Sequence, residues 1–88
     1  MYYITFVCHS ICTPVGTVGN AHACAAIRSF VALEPDSVDL PHRADLIQRD
    51  GPFYKDGYYE LTGKPGLGIE LSEEVCRRQL APGSSWFE

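Results

Sequence analysis

The chain has 88 residues, room for one small domain that buries only about 60–65% of its unfolded surface and keeps a thin stability margin. Hydrophobic residues make up 45% and charged residues 20%, a globular balance that excludes a disordered segment. Seven basic against eleven acidic residues give a formal charge of −4, and no basic run exceeds Arg77-Arg78, which argues against a nucleic-acid groove. The opening apolar run is too short to cross a bilayer and has no basic segment before it, so neither a membrane span nor an export signal is expected. The expected compartment is the cytoplasm. There the four cysteines (Cys8, Cys12, Cys24 and Cys76) are expected as free thiols.

Residues 1–8 read as a buried strand of β-branched and aromatic residues, and His9 follows it. Thr13-Pro14-Val15-Gly16 reads as a turn. Thr17 or Asn20 can cap the next helix, which is expected over about residues 18–28 from its alanine-rich, mostly apolar composition. Phe30-Val31-Ala32-Leu33 is a second apolar strand, ending at Glu34. Strand, helix and strand make a βαβ unit whose strands run parallel. His9 and Glu34 then emerge at the same carboxyl edge, where parallel α/β folds place their chemistry. Adjacent strands lie about 4.8 Å apart, so both side chains can face one small ligand.

Residues 35–50 are polar, with two prolines and several aspartates, and read as one 16-residue loop. His42 lies in it, within possible reach of a ligand. Asp56-Gly57 stands between aromatic runs and predicts a two-residue type I′ hairpin, with Lys55 opposite Tyr58 and Tyr54 opposite Tyr59. Leu67, Ile69 and Leu71 alternate with small or polar residues, as in a short strand. Ser72 is placed to cap a last helix, with Glu73 and Glu74 in its first turn, Arg77 and Arg78 near its end, and Pro82-Gly83 beyond. Trp86 and Phe87 are expected to dock on a surface. The organisation is thus residues 1–34 as the βαβ segment, 35–50 as a connector, and 51–88 as hairpin, strand, helix and tail.

This architecture looks incomplete as a domain. Two parallel strands with one crossover helix leave a sheet face and both edges bare, whereas parallel sheets are normally covered on both faces. A closed barrel of this type needs about 200–250 residues. Self-association through the bare surfaces is an expectation for the chain alone.

Four segments, in order, resemble the carboxyl-terminal end of the enolase superfamily, in its mandelate racemase and acid-sugar dehydratase branch. Phe6-Val7-Cys8-His9-Ser10 is similar to the seventh barrel strand with its histidine. Thr13-Pro14-Val15-Gly16-Thr17 with Ala21-His22-Ala23-Cys24-Ala25-Ala26-Ile27 resembles the following loop and helix. Phe30-Val31-Ala32-Leu33-Glu34 resembles the eighth strand with its terminal glutamate. Lys55-Asp56-Gly57-Tyr58 and Pro65-Gly66-Leu67-Gly68-Ile69-Glu70-Leu71 resemble the closing segment that returns to the capping domain.

The resemblance implies an α/β fold in which residues 1–34 are the last βαβ unit of a (β/α)7β TIM-like barrel. It implies a Mg²⁺ ion held by carboxylates of the third, fourth and fifth strands, none of them in this chain. It implies an acid-sugar substrate losing the proton α to its carboxylate, in a dehydratase (a lyase) or a racemase. His9 would be the general acid/base, since imidazole's ordinary pKa of about 6.5 lies near working pH. Glu34 would lie beside the substrate carboxylate, where it must carry or share a proton to donate a hydrogen bond. The 88-residue chain alone is then expected to be inactive.

Two other functional classes stand beside this one. A small interaction module could keep the hairpin without chemistry. A zinc or thiol protein could be built on Cys8, Cys12, His22 and Cys24, but their spacings of three, nine and one intervening residues do not match common zinc patterns.

Overall fold

The computed structural model describes residues 2–35 and 43–87. The first part is a parallel βαβ unit: β1 (Phe6–Ser10), α1 (Pro14–Ala25) and β2 (Phe30–Pro35). It then continues through a 3₁₀ turn (Ala44–Leu46), β3 (Ile47–Gln48), β4 (Glu70–Leu71) and α2 (Glu73–Arg78), with β3 and β4 antiparallel. No helix among the described residues is long and apolar enough to cross a membrane.

The expected order of elements holds, but their bounds move. Residues 2–5 are not strand, and Tyr3 has a positive φ of 51°. β1 instead continues through His9 to Ser10. The expected turn at Thr13-Pro14 is the start of the helix. Thr13 is the N-cap, its hydroxyl accepting from the Gly16 N–H, and Pro14 occupies the first turn, where a missing N–H costs nothing and a fixed φ favours the helix. Thr17 and Asn20 therefore lie inside α1 and do not cap it. The helix closes at Ala26, and Ile27 N–H and Phe30 N–H bond back to Cys24 and Ile27 carbonyls to turn the chain into β2.

The core of this unit is small. Val18, Ala21 and Cys24 are its buried apolar residues, spaced on one face of α1 at helical intervals. Fully burying Val18 contributes roughly 1.5–3 kcal/mol. The other sheet face is bare, with Val7 55% exposed. The expected burial of the first strand is thus absent on that side.

The expected loop of residues 35–50 is interrupted. Residues 36–42, including His42, lie outside the described residues. Beyond them Ile47 is buried at 6% exposure in β3, opposite Leu71 of β4. Ser72 N–H extends this pairing to the Leu46 carbonyl. Ser72 is the N-cap residue of α2 but makes no side-chain cap bond. α2 is supported by Glu73–Arg77 and Glu74–Arg78 pairs one turn apart. Trp86 docks under the Arg77 guanidinium, 4.7 Å from its ring centre, and stacks on Phe87.

The hairpin tip is as expected. Lys55 and Tyr58 exchange two backbone hydrogen bonds, and Asp56 and Gly57 both have positive φ, 51° and 80°. The pairing is one bridge long. What holds the legs together is Arg49. Its guanidinium lies 4.5 Å from the Tyr59 ring centre and donates to the Phe53 and Glu60 carbonyls. Phe53, Tyr54 and Tyr59 pack edge to face around it. The two halves are joined by His22 of α1, whose Nε2–H donates to the Leu67 carbonyl at 3.2 Å.

Candidate active site

His9 and Glu34 are register partners at the carboxyl ends of β1 and β2. An irregularity in the pairing puts them there. Phe6 pairs with Phe30, but Val7 pairs with Ala32, so Val31 is left over as a bulge. From that point each residue of β1 meets the one 25 positions on, and His9 meets Glu34. With the spacing of the Phe6–Phe30 pair continued, His9 would face Leu33. Its side chain and that of Glu34 would then lie on opposite faces, because a one-residue slip exchanges the faces of a strand. Bulges in parallel pairs are rare, and bulges cluster near active sites, where they re-aim side chains.

Alternation along β1 fixes which face the pair occupies. Ser10 is 1% exposed and its hydroxyl accepts from Asn20 of α1 at 3.0 Å, so Ser10 faces the helix. His9 therefore projects to the face away from α1. There its Nδ1–H donates to Glu34 Oε2 at 3.1 Å, with the two side chains 65% and 66% exposed. At such exposure an ion pair contributes between nothing and about 1 kcal/mol to stability. The pair is open to a ligand and is not part of the core.

Cys8 and Cys24 meet on the opposite face of β1, where burial first, then the Cys8 thiol as hydrogen-bond partner, pushes the Cys24 thiol up. Cys12 lies past the strand end, its sulfur accepting from Asn20 at 3.6 Å, and His22 is committed to the Leu67 carbonyl. All four cysteines are free thiols. Among the described residues no three His, Cys, Asp or Glu side chains converge to hold a metal ion. The donor set at His9 and Glu34 is one nitrogen and one carboxylate, too few for an octahedral oxygen site.

Sequence reasoning brings His9 and Glu34 together by placing both at strand ends. It misses the Val31 bulge, Asn20 and Arg49. The local pattern offers Asn20 as a cap and does not mark it as a partner of residues ten and eight positions earlier.

A parallel strand pair crossed by a helix, with a histidine and a carboxylate opposed at its carboxyl edge, makes this an α/β segment with a parallel sheet. Residues 1–75 match the family described as enolase C-terminal domain-like, and the chain belongs to that family. It is similar to a D-xylonate dehydratase of Haloferax volcanii, 34% identical over all 88 residues and 21% of the dehydratase's length. It is also similar to a mandelate racemase/muconate lactonizing enzyme-like protein from Rubrobacter xylanophilus DSM 9941. That structure matches 86% of the chain with a TM-score of 0.81 and 45% identity, over 19% of its own length. The chain thus spans about a fifth of each of these relatives.

Proposed function

We propose that the chain is the last βαβ unit and closing segment of a (β/α)7β barrel enzyme. That enzyme would take the α-proton from a sugar acid in a dehydration or racemisation. The observation that carries this reading is the opposed His9–Glu34 pair, exposed at the carboxyl edge on the face away from α1. Family membership and the similarity to a dehydratase support the substrate class.

With Nδ1–H engaged by Glu34, the lone pair of His9 Nε2 is left to take the proton. Glu34 Oε2 accepts from that ring N–H and so fixes the ring and its tautomer. The second carboxyl oxygen of Glu34 is the one to meet the ligand. Dehydration and racemisation share this first step and diverge only afterwards. Superfamily members generally use Mg²⁺, but the residues described do not form a site for it. The metal would be held by other strands of a longer protein. By the same reasoning the 88-residue chain alone would not turn over.

The test is a chimera in which this chain replaces the matching fifth of the Haloferax volcanii dehydratase, assayed on D-xylonate. Turnover that is lost on His9→Asn and reduced on Glu34→Gln supports the reading. Turnover that survives His9→Asn contradicts it.

A further inference from the structure

Asn20 of α1 holds the connection from β1 at two points. Asn20 Nδ2 donates to Ser10 Oγ at 3.0 Å and to Cys12 Sγ at 3.6 Å. These acceptors stand on either side of Ile11, which is 67% exposed. We propose that Asn20 is a positioning residue for His9: its amide bolts the end of β1 to the helix and so sets how His9 leaves the sheet toward Glu34. This rests on the reading of His9 and Glu34 as the reacting pair.

A buried hydroxyl needs a partner, and a helix amide can meet that need with no further consequence. Two features give this bond a direction. First, one amide group holds both the last residue of β1 and the middle of the connection, so it fixes an orientation that a single bond or an apolar contact would leave free. Second, the loop lies directly on the helix at Gly16, one turn before Asn20 on the same face. A Cβ at Gly16 would meet the Cys12 Cβ at 2.7 Å, so the loop has no room to move toward α1.

His9 precedes Ser10 directly, and strand alternation transmits any rotation of Ser10 to it. Releasing the Ser10 hydroxyl would let the strand end twist. The His9 ring would then leave Glu34 while the pairing at Val7–Ala32, nearer the strand start, persists.

The experiment is NMR of the 88-residue chain, comparing Asn20→Leu, which keeps side-chain volume but cannot donate, and Ser10→Ala, which removes one acceptor. The readouts are the cross-strand contact between His9 and Glu34 and the Nδ1 resonance of His9. The expected result is loss of that contact and a shifted Nδ1 in Asn20→Leu, and a weaker change of the same kind in Ser10→Ala. Contacts between Val7 and Ala32 and the amide protection of α1 should stay. An unchanged His9–Glu34 contact in folded Asn20→Leu overturns the proposal, and if that variant does not fold, an unchanged contact in Ser10→Ala does so. In the chimera, Asn20→Leu should lower kcat by about 10- to 100-fold, the scale of a small misplacement of a reacting group, with KM nearly unchanged. Turnover surviving His9→Asn would defeat the catalytic reading and leave the NMR result to decide the positional one.

Discussion

The βαβ half and the half from Arg43 onward are built on different principles. The first rests on packing: Val18, Ala21 and Cys24 seal α1 against two strands, and the polar pair His9–Glu34 stands outside that seal. The second has a single buried apolar residue, Ile47. It is held by the Arg49 guanidinium over Tyr59 with its carbonyl partners, and by Glu–Arg pairs along α2. The difference teaches where tolerance lies. Packing resists loss of volume, whereas polar staples resist loss of geometry.

The sharpest way to break the comparison is at its packed end. Val18→Ala should destabilise the chain by roughly 1.5–3 kcal/mol, from lost burial and the cavity left behind. Thermal melting would show the loss, and hydrogen exchange should place it in α1 and β1. Arg49→Lys keeps the charge but loses the planar fork and the stacking on Tyr59. It should cost about 1–2 kcal/mol, with faster exchange at Lys55 and Tyr58 and no change in α1. If α1 loosened as much, the halves would not be distinct. Gly57→Val forces a β-branched residue into a φ of 80°, at a cost of roughly 1–2 kcal/mol. That loss should be confined to the hairpin tip, and an unchanged melting temperature would contradict the turn assignment.

The smallest effects are those of pH on the second half. Burial pushes the Tyr54 and Tyr59 hydroxyls up. Their neutral forms are favoured in the fold, so the stability tied to them is complete below about pH 10 and is lost as pH rises through the folded values. Hydrogen bonding to Lys64 and its charge hold the Asp50 carboxyl low. Its contribution is present above about pH 4 and is lost as pH falls through the lower folded value. Both groups of Asp50–Lys64 are solvent-exposed, so Asp50→Asn should change the acid limb of a stability–pH curve only slightly.

How much of this was legible in the sequence follows the same division. Two apolar runs flanking an alanine-rich stretch were enough to place the βαβ unit, and residue order alone brought His9 and Glu34 to one edge. The helix start is ambiguous in the sequence because Thr-Pro is both a turn signal and an N-cap with proline in the first turn. The Val31 bulge was invisible, being a property of the pairing and not of either strand. β3 was lost in a polar stretch because only Ile47 carries its burial. Asp56-Gly57 was readable because the turn demands those residues locally. Arg49 was not, because its partners are carbonyls and a ring up to eleven residues away.

His9, aligned by the bulge with Glu34, is proposed as the base of a larger acid-sugar enzyme. The most direct measurement is kcat of the dehydratase chimera carrying this segment, with His9 intact and as His9→Asn. Turnover is expected with histidine and none detectable with asparagine, at equal folding by circular dichroism. Equal turnover by the two proteins would contradict it.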